Sequence, residues 1–182
     1  IDATRKVSQV DRKLAQELQR QYKPTVIVLN KWDLAPEDAD AESFGEYLTR
    51  ELRGLDFAPI VLVSAKDGEG IEDVVSMAFN LREQARHRET TGQLNSTIES
   101  ILKQRGPSSR LGTQAKLLYV SQVAIDPPTI ALVVNDPKLF EGRYERYLMN
   151  RLREEMPFCE VPIRLLFSKR SRKSLQDVKT RQ

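Results

Sequence analysis

Two short polar motifs follow apolar runs and contain the side chains best suited to bind a planar base. Asn30-Lys31-Trp32-Asp33 comes directly after residues 25–29, and Ser64-Ala65-Lys66 comes directly after residues 60–63. An ionised carboxylate is an acceptor-only fork, so Asp33 can accept two adjacent N–H groups. Guanine presents such a pair at N1 and N2, whereas adenine has an unprotonated N1 that would leave the carboxylate unpaired. The first motif therefore favours recognition of guanine.

Both motifs also have a purely structural interpretation. Asn and Asp side chains in loops commonly bond to nearby backbone as turn residues, and Lys66 taken alone is typical of a solvated surface. However, the two motifs follow neighbouring buried strands, and ligands of open α/β sheets bind beyond the carboxyl ends of the strands. In that position a backbone N–H and a lysine stem could close the other side of a purine. We therefore favour a guanine pocket over two unrelated turns.

The elements that must position these motifs alternate between helix and strand. Apolar residues recur at spacings of three and four over residues 7–22, 44–55 and 71–85, which predicts three amphipathic helices. Residues 25–29 and 60–63 lack polar alternation after Thr25, which is typical of parallel strands covered on both faces. The first half is therefore predicted to be of the α/β class, with an open and mostly parallel sheet.

The second half has a different pattern. Its apolar residues predict a helix at 94–102, strands at 116–120 and 129–134, a helix at 139–152 and a final strand at 161–167. The order α-β-β-α-β predicts an α+β domain in which helices pack against a small sheet.

The charge changes at the same place. Residues 1–88 contain 13 Lys and Arg against 16 Asp and Glu, and residues 89–182 contain 16 against 10. This asymmetry predicts two modules, of which the basic one is the candidate for binding a polyanion. We expect one domain at 1–88, a second at 89–168 and a basic, mobile tail at 169–182.

Composition excludes several classes of protein. Cys159 is the one cysteine and His87 the one histidine among the 182 residues, which excludes disulfide frameworks and Cys–His zinc sites. No apolar run reaches the roughly 18 residues that a membrane helix needs. We expect a cytoplasmic monomer with no membrane partner and no metal site of its own. Cys159 is expected to be a partly buried structural thiol.

The motifs and the downstream sequence together resemble a known family. The two polar motifs resemble the guanine-recognition motifs of translation-factor-like GTPases. In the second half, four segments are similar to the C-terminal KH-like domain of the Der (EngA) bacterial GTPases, namely residues 116–119, 126–129, 146–150 and 161–164. The resemblance covers nearly the whole chain up to Ser168. It implies a partial P-loop-GTPase-type parallel sheet with helices, followed by an α+β KH-like domain.

The family also implies ligands, partners and residue roles. Its members carry two GTPase domains before the KH-like domain and act in assembly of the large ribosomal subunit. The implied ligand is therefore GTP or GDP, and the implied partner is rRNA or a precursor of the large subunit. The residues that match the family's base pocket are Asn30, Lys31, Asp33, Ser64, Ala65 and Lys66.

Each position carries a role in the family. Asn30 would contact the O6/N7 edge of the purine and brace the loop, and Asp33 would read N1 and N2. Lys31 would pack over the sugar and base. The backbone N–H of Ala65 would face O6, and Lys66 would flank the ring.

Other parts of a GTPase are missing from the sequence. No G-x-x-x-x-G-K-S/T string occurs among these residues, and the switch threonine and the D-x-x-G segment of a phosphate site are missing, since the one D-x-x-G string, at residues 67–70, follows the second base motif. We therefore assign no catalytic residue and expect this chain alone not to hydrolyse GTP. Magnesium is expected only together with the missing phosphate-binding part. The resemblance implies the tail of a longer protein, beginning inside its second GTPase domain.

The KH-like half departs from its family in one respect. KH domains clamp single-stranded nucleic acid with a G-x-x-G loop, and the nearest sequence here, Glu141-Gly142-Arg143, has a single glycine. Seven basic residues remain as candidates for contacts to rRNA phosphates: Arg143, Arg146, Arg151, Lys169, Arg170, Arg172 and Lys173. A solvated helix surface explains the arginines equally well. The alternative function is that of a non-catalytic module that binds RNA or protein.

Overall fold

The computed structural model describes residues 1–36, 39–107 and 114–169. The chain divides into two units, of which the first comprises Ile1–Arg86 together with Phe158–Pro162. The second comprises His87–Pro157 and the chain from Ile163 onwards.

Two parallel strands form the centre of the first unit. Strand β1, Ile27–Asn30, pairs with strand β2, Ile60–Val63, so that Ile27 lies opposite Ile60. Residues Ile1–Ala3 lie along the other side of β1, because the N–H of Asn30 donates to the carbonyl of Ile1 at 2.8 Å. The predicted β2 is confirmed. Strand β1 begins two residues later than predicted, because its first pairing is with Ile60.

Three helices surround this pair, as the apolar spacing predicts. They are α1, Gln9–Arg20, α2, Ala41–Glu51, and α3, Ile71–Arg86. Helix α1 is shorter than its apolar period, because Ser8 and Asp11 form a capping box at its start and Tyr22 adopts a left-handed conformation after its end. The core of the unit includes Leu29 and Leu48, both fully buried.

The second unit is a three-stranded sheet with two helices. In chain order these are α4, Thr91–Gln104, β3, Leu117–Ala124, β4, Thr129–Val134, α5, Arg143–Glu155, and β5, Arg164–Lys169. Strand β4 is central, antiparallel to β3 and parallel to β5. This is the predicted α-β-β-α-β order. The predicted fold class, a parallel α/β arrangement followed by an α+β domain, is confirmed.

The helices cover one face of this sheet. Leu94, Ile98 and Ile101 of α4 are fully buried, as are Leu148 and Leu152 of α5. Inward-facing sheet residues, including Val120, Ile130, Leu132 and Val134, are equally buried. Burial of a complete aliphatic side chain contributes about 1.5–3 kcal/mol, so this layer is the main source of stability in the unit.

Two strand boundaries differ from those predicted. Strand β3 continues to Ala124, four residues beyond its apolar run, because it keeps pairing with β4. The last strand begins at Arg164, whose N–H donates to the carbonyl of Pro128 at 2.9 Å; Pro162 has no N–H to give. Strand β5 also includes Lys169, which the sequence analysis placed in the tail, and residues 170–182 lie outside the described residues.

One side chain is placed differently from its prediction. Cys159 is exposed, so the prediction of a partly buried thiol was wrong. Its Sγ lies 3.7 Å from Oε1 of Gln84. Among the helices within the described ranges, none is both long and apolar enough to cross a membrane.

Candidate functional site

The two polar motifs begin side by side. Because β1 and β2 are parallel with Asn30 opposite Val63, both strands deliver their carboxyl ends to the same edge of the sheet. Each strand is short, apolar and at least half-buried, which fixes its position in the unit. The residues that follow the strands therefore share one site, as expected for ligand positions in α/β sheets.

Asn30 joins the two motifs through its side-chain oxygen. This Oδ1 accepts hydrogen bonds from the N–H of Lys31 at 2.8 Å and from the N–H of Ala65 at 3.1 Å. The first bond holds the turn after β1, and the second links that turn to the one after β2. The N–H of Ala65, which the resemblance assigns to O6 of a purine, is thus engaged by Asn30 in this structure. A bound base would have to share or take over that donor.

Asp33 lies on a 3-10 turn at Trp32–Leu34 and faces the second motif. Its Oδ1 is 3.0 Å from Oγ of Ser64, and its Oδ2 is 3.9 Å from Nζ of Lys66. The second distance is an ion-pair contact, too long for a hydrogen bond. The ring of Trp32 packs edge-on against Phe44 with centroids 5.3 Å apart, so the indole supports the turn.

Ser64 is the buried polar residue of the site. Its side chain is only 1% exposed, and its Oγ also lies 2.7 Å from Oδ2 of Asp67. A hydroxyl has one proton to donate, so the two carboxylates of Asp33 and Asp67 share one donor. The sequence analysis missed Asp67, because only the turn back from Ser64 to Glu69 brings its side chain to the serine.

A tight turn carries Lys66 at the surface. The N–H of Gly68 donates to the carbonyl of Ser64 at 2.8 Å, and the N–H of Ser64 donates to that of Glu69 at 3.1 Å. The Lys66 side chain is 78% exposed. Its stem can therefore move against a ligand that lies beside Asp33.

Lys31 is held by the segment that lies beside β1. Its backbone has φ +64°, the left-handed region that a residue with a side chain rarely adopts. Its Nζ lies 2.8 Å from Oδ2 of Asp2. Oδ1 of the same Asp2 accepts from the N–H of Thr4 at 2.9 Å and from its hydroxyl at 2.6 Å. These bonds, first that from Lys31 and then those from Thr4, hold the pKa of Asp2 well below its usual range.

The assembled site offers three kinds of contact. It combines the Asp33 carboxylate with its two acceptor oxygens, the backbone N–H of Ala65, and the two lysine stems of Lys31 and Lys66. A planar heterocycle with adjacent N–H donors and a neighbouring carbonyl matches this set, because each of its polar edges finds an opposite partner. The six residues singled out in the sequence are all at this edge of the sheet.

The predicted RNA-contact residues are in different environments. Arg143 and Arg146 are exposed near the start of α5. Arg151 is ion-paired to Glu154 and Glu155 on its own helix, so its charge is already balanced. Lys169 is exposed at the end of β5. Three further candidates, Arg170, Arg172 and Lys173, lie outside the described residues.

Two tyrosines of α5 pack against other rings. The ring centroid of Tyr144 is 5.8 Å from that of Phe140 and 5.5 Å from that of Tyr147, and its hydroxyl donates to the carbonyl of Arg105 at 2.8 Å. Burial raises the pKa of the Tyr144 hydroxyl to about 12. Both rings pack within this aromatic cluster, so they are not free platforms for base stacking.

Comparisons with known proteins agree with this architecture. Residues 88–168 match the family described as the KH-domain-like of EngA bacterial GTPase enzymes, C-terminal. GTPase Der of Rhodopirellula baltica is 35% identical over 172 residues, covering 94% of this chain and 38% of that protein. GTPase Der of Rippkaea orientalis is 37% identical over 171 residues, covering 92% of this chain and 37% of that protein. GTPase Der of Prochlorococcus marinus is 35% identical over 184 residues, covering 100% of this chain and 40% of that protein.

These matches place the chain in the class of GTPase-related proteins that carry a C-terminal KH-like domain. It belongs to the Der (EngA) family, which confirms the resemblance seen in its motifs. The chain spans about two fifths of the length of the curated relatives named above.

Proposed function

We propose that this chain supplies the guanine-selecting half of the nucleotide site of a Der-type GTPase, together with a KH-like domain. The observation that carries the proposal is the junction made by Asn30, whose side chain accepts from both motif loops. This junction sets Asp33 within 3.9 Å of Lys66 at the shared strand edge. The names of the relatives, all GTPase Der, support guanine nucleotide as the ligand.

In the proposed complex the base lies between the two lysine stems. Asp33 accepts the N1 and N2 protons of guanine, while the N–H of Ala65 moves from Asn30 to O6 of the base. A hydrogen bond to a charged group contributes about 1.5–3 kcal/mol, and two such bonds to one carboxylate select strongly for the base that offers both donors. Ser64 keeps one oxygen of Asp33 in place through its hydroxyl.

Nucleotide hydrolysis requires parts that are not among these residues. The sequence contains no glycine-rich loop with lysine to hold the β and γ phosphates. We infer that such a part belongs to the complete protein, where it would hold Mg²⁺ with GTP or GDP. The residues of this chain would bind and orient the base and leave phosphate chemistry to that part.

We further propose the domain division 1–88, 89–168 and 169–182, as GTPase-domain residues, KH-like domain and basic tail. The partner proposed for the KH-like domain is rRNA or a precursor of the large ribosomal subunit, met by the complete protein as a cytoplasmic monomer. Its support is the exposure of Arg143 and Arg146 and the net positive charge of the second half. Arg151 is withdrawn from the proposed contact residues because its partners are Glu154 and Glu155.

The test of guanine selection is Asp33→Asn in the complete Der-type protein. Xanthine has a carbonyl at C2 in place of the amine, so an asparagine amide can donate to it while its oxygen accepts N1–H. We expect the ratio of affinities for GDP and xanthosine diphosphate to fall by about 100-fold or more. Displacement of a fluorescent guanine nucleotide measures both affinities.

The matched control is Asp56→Asn, which removes the same charge from an exposed position of the same unit. It should leave the ratio unchanged. An Asp33→Asn protein that still prefers GDP as strongly as the parent would contradict the role proposed for Asp33.

A further inference from the structure

The geometry points to Asp2 as a positioning residue that fixes the Lys31 side chain. We call the stems of Lys31 and Lys66 the two walls of the base pocket. Nothing in the N-K-x-D motif itself provides this contact, because the lysine Nζ reaches back 2.8 Å to a carboxylate on the segment beside β1. The inference rests on the proposed function, since the wall matters only if a base binds against it.

Lys31 needs an external support for two reasons. Its left-handed backbone, with φ +64°, is unfavourable for a residue with a side chain. Its ammonium stands on a flexible four-carbon stem, which adopts many conformations when nothing holds its end. The side chain is half exposed, at 50%, so packing alone does not fix it.

Asp2 is itself held at three points. Thr4 donates to Oδ1 from its N–H and its hydroxyl, which leaves Oδ2 directed at Lys31. The backbone of Asp2 bridges to Asn30, so its carboxylate is anchored to the strand that carries the motif. The N–H of Ala3 adds a 2.8 Å bond to the carbonyl of Asn30. The support therefore extends from the sheet to the lysine without a mobile segment.

The two lysine walls of the pocket are consequently unequal. Nζ of Lys31 lies 2.8 Å from Asp2, whereas Nζ of Lys66 lies 3.9 Å from Asp33 and the Lys66 side chain is 78% exposed. One wall is pre-formed and the other is adjustable. Pre-forming a wall lowers the ordering cost of binding and strengthens the affinity for any base that fits. Pre-forming this wall does not change which N–H donors of the base Asp33 accepts.

The test compares Asp2→Asn with the parent in the complete Der-type protein, with Asp56→Asn as the control of equal charge. We expect Asp2→Asn to weaken GDP binding by about fivefold, while the ratio of GDP to xanthosine diphosphate affinity stays that of the parent. The same substitution in a Lys31→Met background should have no further effect, because the group that Asp2 holds is already absent. A thermal unfolding scan accompanies each measurement.

Each outcome has a distinct meaning. Weakening by Asp2→Asn that vanishes in the Lys31→Met background supports the positioning role. Equal affinity of the Asp2→Asn and Asp56→Asn proteins overturns it while leaving guanine selection intact. Weakening that persists in the Lys31→Met background also overturns it, because Asp2 would then act through the fold and not through Lys31. A parent protein that fails to prefer GDP over ADP would refute the proposed function itself.

Discussion

The side chain of Asn30 does more in this structure than its position in a turn requires. Turn asparagines commonly bond to backbone close in sequence, as this one does with the N–H of Lys31. The second bond, to the N–H of Ala65, spans 35 residues and ties two loops together. A residue type that suggests a local turn is therefore also the connection on which the pocket depends.

Replacing Asn30 with alanine tests this connection. Both N–H donors lose their acceptor, so we expect the free energy of unfolding to fall by about 1–3 kcal/mol and guanine-nucleotide affinity to fall more than tenfold in the complete protein. Chemical denaturation and nucleotide titration measure the two effects. Asn95→Ala is the control, because that amide donates to a carbonyl within its own helix. Unaltered nucleotide affinity in the Asn30→Ala protein would contradict the proposal that the Asn30 side chain joins the two motif loops.

The residue types of the site could be predicted, but several of its contacts could not. Asn30, Asp33, Ala65 and Lys66 follow apolar runs, and the sheet edge brings them together as their positions imply. The ion pair of Asp2 and Lys31 depends on pairing beside β1, which no local pattern shows.

At the scale of elements, the turn between β2 and α3 sets the position of the second motif. Gly70 has φ +73°, and a Cβ at this position would lie 2.2 Å from the carbonyl oxygen of Leu62. Gly68 in the same turn has φ +80°, but a Cβ there would meet nothing within 4 Å. Gly70 allows the turn to approach the backbone of Leu62, whereas Gly68 provides only a left-handed conformation.

The two glycines give a matched pair of variants. Gly68→Ala should lower the free energy of unfolding by about 1 kcal/mol, the cost of a side chain in a left-handed conformation. Gly70→Ala carries that cost and a backbone clash, so it should lower the free energy by at least about 3 kcal/mol. Urea unfolding of both proteins checks the difference. Equal destabilisation would show that the turn moves away from β2 at no cost.

Element types were predictable where burial alone decides them. The bounds of β2 and β4 match the sequence prediction, because both strands are continuous apolar runs. The second half of β3 contains Ser121 and Gln122 and has a shift of register, so its pattern ends before its pairing does. Such extensions are set by a neighbouring strand and leave little trace in local sequence.

At the scale of the whole molecule, the proposed RNA contact depends on charge. Binding to phosphates releases counterions, so affinity for rRNA should fall by roughly 0.7–0.9 log units per log unit of salt for each phosphate neutralised. Changing Arg143 and Arg146 together to glutamine should weaken binding and reduce that slope by about the same amount for each arginine that neutralises a phosphate. Electrophoretic mobility shifts at several salt concentrations measure the slope.

The control changes Arg82 and Arg86 of α3 to glutamine, which removes the same charge from exposed positions of the first unit. This pair should leave the slope unchanged. A salt response that is flat in the parent protein would favour the alternative function, a surface that docks to protein.

The parallel pairing of β5 with β4 also affects how the second unit is made. Strand β4 can pair with β3 as soon as both have been synthesised, but its other partner follows α5 and ends at Lys169. Of this sheet, a nascent chain can form only the β3–β4 hairpin until the residues of β5 leave the ribosomal exit tunnel. During that interval one edge of β4 stays open, and chains on the same messenger could pair through it. Completion of this sheet therefore waits for the synthesis of the strand that follows α5.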